Sequence, residues 1–260
     1  MHMKKFITDL IRNPKFLVTV FLVVVIGGAF WIRFAKTRID NRPNPSITAL
    51  SIAESKDKTF VKRDTGIYIK VHYPQYNEAM PFLAIANATI RTAIKKEIDN
   101  FIANESDVTA SDDGVSKLLG DYEILPPVHN VTTIVFKLES ESKGAAHPYG
   151  YSQVLLLGDT DGQQIYTENL FDKKTLFWKD LSDLAKEQLK TVLAENYDED
   201  MVNEGAGPDP KNFDNVYLSD AGLVVVFNPY QVAPYATGEV SITIPYSSIG
   251  KDLLPRYGGK

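Results

Sequence analysis

The side chains able to do chemistry in this 260-residue chain are few and scattered. It has no cysteine, which excludes disulfides, thiolate metal sites and a cysteine nucleophile. The four histidines are His2, His72, His129 and His147, and none stands at the HxH or HxxxH spacing that turns two imidazoles toward one metal. "DTDG" at 159–162 begins like a calcium loop but lacks the later oxygen ligands and the closing glutamate, so it reads as a hairpin turn. There is no GxSxG, no phosphate-binding loop and no dinucleotide fingerprint. These residues lead us to expect no catalysis, no metal and no cofactor. A hydrolase working through scattered carboxylates is the alternative.

Two stretches have the composition of binding surfaces. "ENYDEDMVNEGAGPDPKNFD" at 195–214 sets seven acids against Lys211. Seven acids cannot be buried without partners, so an exposed loop is expected. Asp198, Glu199, Asp200 and Glu204 are its candidates for attracting a cationic ligand. "FNPYQVAPYATGEVSITIPY" at 227–246 is too apolar for a disordered loop and too broken for a helix. It is either a structural corner or a surface presenting Tyr230 and Tyr235. The role of His147 stays open.

Charge divides the chain. Residues 1–42 hold eight Lys/Arg and two acids, a net +6; residues 43–260 hold 20 basic and 31 acidic groups, a net −11. The long acidic part repels nucleic acid and draws cationic partners. Within the basic part, "FLVTVFLVVVIGGAFWI" at 16–32 carries no charge. At 1.5 Å per residue it covers roughly 25 Å, short of a typical hydrocarbon core but within the usual range of membrane spans. Lys15 and Arg33 flank it, and Trp31 suits the interface. A cleaved signal is the rival, with small residues at Gly27 and Ala29, but the run continues through Phe30, Trp31 and Ile32. The expected layout is a cytoplasmic tail (1–15), a single-pass signal anchor (16–34), a proline-stiffened stalk (35–57) and an extracytoplasmic domain (58–255) with halves at 58–142 and 143–255.

Elements to position these groups follow from periodicity. Ile67, Ile69 and Val71 alternate in a strand, and Ile90, Ile94, Ile98 and Ile102 recur every four residues in a helix over about 82–104. "VTTIVFKLES" and "YGYSQVLLLG" are strands, and "DTDG" turns the second toward "QQIYTENLF". A second helix is expected at 181–195, capped by Asp180, with Leu181, Leu184, Leu189, Val192 and Leu193 on its apolar face. Two strands about "SDAG" (219–222) and a short helix at 248–254 complete the chain. The irregular alternation, rich in hairpins, indicates an α+β fold: an antiparallel sheet with two main helices, preceded by the membrane helix. Sequons stand at Asn87, Asn104 and Asn130.

Three stretches carry a family resemblance: "VHYPQ" (71–75), "KGAAHPYGYSQVLLLGDTDGQQIYTENLF" (143–171) and "AGLVVVFNPYQVAPYATGEVSITIPYSSI" (221–249). Together they resemble the extracytoplasmic domain family shared by the anti-sigma factor RsiV and the N-terminal domain of the peptidoglycan deacetylase PdaC. The similarity spans about residues 58–255; this chain has Gly144-Ala145-Ala146-His147 where the family usually shows Gly-Gly-Ala-His. It implies that the proline–tyrosine stretch connects two late strands, and that the ligand is lysozyme or cell-wall glycan. The 15-residue tail is short for a sigma-binding domain and no deacetylase follows Lys260, so the expectation is anchor, stalk and recognition domain. A shortened anti-sigma-like stress sensor is a further alternative.

Overall fold

The four-residue spacing of Ile90, Ile94 and Ile98 buries one stripe of the longest helix, α1 (Pro81–Glu105). The computed structural model describes residues 49–50, 53–64, 66–105, 114–174 and 176–260, all within one unit, Ile47–Lys260. The tail, the membrane segment and most of the stalk lie outside the described residues. Among the described residues, no helix is long and apolar enough to cross a membrane.

Six strands form the first sheet in sequence order: β1 (Ser55–Asp64), β2 (Ile67–Tyr76), β3 (Ser116–Val128), β4 (Val131–Glu141), β5 (Tyr149–Gly158) and β6 (Gln164–Ile165). The pairs are antiparallel except β2 with β3, which run parallel and are joined through α1. A parallel pair needs such a long crossover. The expected single antiparallel sheet is corrected here twice, by this pair and by a second sheet. β3 went unread because Gly120, Pro126 and Pro127 interrupt its pattern and its register shifts between Leu125 and Val128. Gly120 is required by packing: a Cβ there would lie 2.7 Å from Leu138 Cδ2 and 2.9 Å from Val71 Cγ1.

α1 lays Leu83, Ala86, Ile90, Ile94, Ile98 and Phe101 on Ile69, Val71, Leu118, Ile134, Phe136 and Leu155 of the first sheet. The second sheet contains β7 (Val216–Ser219), β8 (Gly222–Phe227) and β9 (Val240–Pro245), all antiparallel. It packs on α2 (Phe177–Leu193) through Leu181, Ala185, Leu189 and Leu193 against Val225, Phe227, Ile242 and Ile244. Val131 and Leu156 of the first sheet join this second cluster, which couples the sheets.

Several boundaries differ from expectation. α2 starts four residues early, with Leu176 at its N-cap; Asp180 lies inside the first turn, where it pairs with Lys251 rather than capping. Val192 is 53% exposed and not part of the apolar face. The final helix is the single turn α4 (Tyr246–Ile249), earlier and shorter than expected. The domain also begins before residue 58. β1 starts at Ser55, and Leu50 is fully buried, its N–H bonded to the Asp159 carbonyl at 2.7 Å.

Candidate functional site

Segment 195–214 is folded rather than a plain loop. It contains helix α3 (Glu199–Gly205), capped by the Asp198 side chain, which accepts from the Met201 N–H at 2.9 Å. Asp209 likewise caps the turn Pro210–Phe213. Asp198, Glu199 and Asp200 gather at the N-terminal end of α3, where the helix dipole favours negative charge. They and Glu204 are exposed, as the sequence predicts. Gly205 at the end of α3 packs against the 228–233 turn so closely that a Cβ would stand 1.7 Å from the Gln231 carbonyl oxygen.

The proline–tyrosine stretch joins β8 to β9, the role the resemblance implies. Its two candidate tyrosines do come together: the rings of Tyr230 and Tyr235 stack at 5.3 Å between centroids. His147, which the sequence left without a role, also stacks on Tyr235, at 4.4 Å between centroids. One carbonyl holds both neighbours. The Pro148 oxygen accepts from the Tyr235 hydroxyl at 2.8 Å and lies 3.0 Å from His147 Nδ1, so that nitrogen carries the proton. Tyr230 is 55% exposed and has φ 70°, the left-handed region that favours glycine. The acids sit on α3 and the tyrosines on the stretch that the C-terminal end of α3 packs against.

A second stacked ring pair lies on β5, joined to the tyrosine turn by a hydrogen bond. Tyr149 donates to the Pro229 carbonyl at 3.2 Å and stacks on Tyr151 at 5.5 Å. Burial pushes both phenols above the ordinary tyrosine range, and for Tyr149 the nearby Tyr230 adds to the effect. Tyr151 donates to Glu97 Oε2 at 3.3 Å, and there the pair meets a cleft of about 260 Å³. Its polar lining includes Lys96 and Glu97 of α1, Tyr151 and Gln153 of β5, Glu168 and Asp214. Desolvation raises the Glu97 carboxyl above the usual carboxylate range, against the Tyr151 hydrogen bond and Lys96, which lower it. Asp214 keeps an exposed side, yet partial desolvation raises it too, Lys96 opposing and Glu168 adding. Gln153 Oε1 is buried with no hydrogen-bond partner among the described residues. Sequence reading missed this cleft because its lining comes from four separate segments.

The free edge of β5 above the cleft is closed by side chains that flank the second sheet, just before β7 and just after β8. Asn228 accepts from the Ser152 N–H at 2.8 Å and donates to the Ser152 carbonyl at 3.1 Å; Asn215 accepts from the Val154 N–H at 2.9 Å and also donates to the Ser152 carbonyl. These bonds fix the tyrosine turn against the strand bearing Tyr149 and Tyr151. His72 lies elsewhere, 2.9 Å from Asp57, and His129 packs edge-on against Tyr246. Among the described residues no three His, Asp or Glu side chains gather as metal ligands would.

Residues 168–247, which include α2, α3, the second sheet and both candidate tyrosines, match DUF3298, a family of unknown function. Over 245 residues the chain is 24% identical to the peptidoglycan-N-acetylmuramic acid deacetylase PdaC of Bacillus subtilis; this covers 94% of the chain but 51% of PdaC, so the chain spans about half the length of that relative. In fold it is similar to a DUF3298-family structure from Pseudomonas aeruginosa (14% identity, TM-score 0.58, 84% of this chain and 97% of that one). It is also similar to one from Bacteroides fragilis (16% identity, TM-score 0.51, 78% and 94%). The chain is thus similar to DUF3298 over residues 168–247 and to PdaC over most of its length, and it shares the fold of these structures.

Proposed function

We propose that this is a non-catalytic envelope protein that binds cell-wall glycan, held to the membrane by residues 16–34 with the described domain outside. The observation that carries the reading is the stack of exposed His147 and Tyr230 with half-buried Tyr235. Flat electron-rich rings fit the apolar face of a pyranose, and tyrosine offers this area with few rotamers to immobilise. The rings are held in place by Pro148, Pro229 and the asparagine pair, so little ordering is left for binding to cost. The likeness to a peptidoglycan deacetylase supports glycan as the ligand class. Stacked aromatics also suit nucleic-acid bases, but the net −11 over residues 43–260 opposes a phosphate backbone.

Calorimetry of soluble muropeptides against the chain tests the reading. Tyr230→Ala and Tyr235→Ala should each weaken binding about 3- to 10-fold, the scale of ~0.5–1.5 kcal/mol per aromatic contact. Undiminished affinity in the double variant would sink it.

A hydrolase is the second reading, favoured by the cleft that Glu97, Glu168 and Asp214 share. Release of reducing sugar or acetate from purified wall, lost in Glu97→Gln, would establish it. A cationic protein such as lysozyme is a further ligand for the exposed acids of α3, addressed below.

A further inference from the structure

β1 carries charge of the opposite sign to its domain. Its ten residues hold four cations (Lys56, Lys58, Lys62 and Arg63) and two acids (Asp57 and Asp64), a net +2 where residues 43–260 sum to −11. Lys56, Lys58, Phe60 and Lys62 alternate and so share one face of the strand. On that face Phe60 and Lys62 meet α1 across a groove of about 440 Å³. Its floor is Phe60, Tyr73, Ile94, Ile98 and Ile102, and Lys62, Arg91 and Lys95 rim it against one acid, Asp99. Lys62 pairs loosely with Asp64 at 3.8 Å, Arg91 with Glu78 at 3.9 Å, and Lys95 more closely with Asp99. Lys56 and Lys58 pair with no acid among the described residues.

Lysines on an edge strand keep other chains from pairing with it, but that purpose asks nothing of α1. Here Arg91 and Lys95 carry the positive rim across an apolar floor, and Phe60 and Val61 stand 37% and 51% exposed at the edge. Apolar side chains ringed by long cations suit the boundary of an anionic bilayer, where the rings enter and the ammonium groups reach the phosphates. β1 is also the strand nearest in sequence to residues 16–34. The sixteen residues 35–50 span at most about 55 Å when extended, so an anchor there keeps β1 within that distance of the bilayer.

Resting on the reading of residues 16–34 as a membrane anchor, we infer that the groove between β1 and α1 docks on anionic phospholipid of the membrane that holds the chain. The rest of the domain is net negative and repelled by the same lipid, so this patch selects the side that faces the membrane.

Hydrogen–deuterium exchange of the full chain, reconstituted in nanodiscs of phosphatidylcholine with or without phosphatidylglycerol, tests the inference. At low salt the amides of 55–64 should exchange about tenfold more slowly on the anionic discs. The difference should fade as salt rises. α2 should exchange alike on both discs and in every variant, which controls for folding. Replacing Lys56, Lys58 and Lys62 with Glu should abolish the difference. Unchanged exchange across 55–64, or slowing that survives the triple variant, overturns the groove assignment. So does slowing by soluble polyglutamate with none on the anionic discs, which would give the groove to an acidic polypeptide. Loss of the chain from phosphatidylcholine vesicles in alkaline carbonate overturns the anchor reading instead, because neutral lipid offers the groove no charge.

Discussion

The side-chain amide of Asn228 pairs with the backbone of Ser152 as a neighbouring strand would, accepting at 2.8 Å and donating at 3.1 Å. One residue just beyond β8 thereby continues the first sheet where β6 is too short to reach. Asn228→Ala would leave the Ser152 N–H unpaired, since Asn215 serves only the carbonyl of that residue. A loss of about 1–3 kcal/mol is expected, read from the urea midpoint. Adding Asn215→Ala should cost more than the sum of the single changes, because the Ser152 carbonyl then loses its second donor.

Gly205→Ala should destabilise by about 1–3 kcal/mol, the range of overpacking, because the new methyl would meet the Gln231 carbonyl. The displaced turn carries Tyr230, so weaker glycan binding should accompany the lower midpoint. A variant that keeps both stability and binding would show that the 228–233 turn yields freely.

Replacing Asp198, Glu199, Asp200 and Glu204 with Asn or Gln should slow association with lysozyme at low salt and weaken it by roughly 1–3 kcal/mol, several rim charges of ~0.2–1 kcal/mol each. Asn at 198 still caps α3, so folding should survive. Stopped-flow association rates across a salt series give the answer. An unchanged rate would reduce these acids to caps and solvated groups.

Glu97→Gln should raise stability at pH 7. The folded state lifts this carboxyl above its ordinary range, so folded protein holds the proton more tightly than unfolded chain. Between the unfolded and the folded pKa the native state binds more protons, and stability falls as pH rises through that window. Above it the charged, desolvated carboxylate is a full cost that glutamine removes. Below the ordinary carboxylate range both states are protonated and the difference should vanish. Thermal midpoints of the two proteins from pH 3 to pH 8 test this; a gap that widens on acidification would reverse the assignment.

Long periodic runs were legible in the sequence. α1 and β5 stand within a residue of their expected bounds because one repeated side-chain spacing dominates each. β3 was hidden by its glycine and prolines, and α3 by the glycines and prolines beyond it, although Asp198 before Glu199 and Asp200 was a readable capping signal. Asn87 matches a sequon, yet it is 1% exposed and exchanges hydrogen bonds with the Tyr76 backbone, which no local pattern shows. Tyr230 and Tyr235 could be singled out from their neighbours. Their partner His147 and the carboxylates of the cleft could not, because those pairings arise between elements.

The φ of 70° at Tyr230 puts two selective demands on one position. The backbone there would be most relaxed with glycine, or asparagine after it, while the exposed ring is what a ligand would meet. A saturation library at residue 230, sorted for thermal resistance, should thus enrich glycine and asparagine. The same library sorted for glycan retention should return aromatics. The divergence of those two winners would measure how far this tyrosine is kept at the expense of an easier fold.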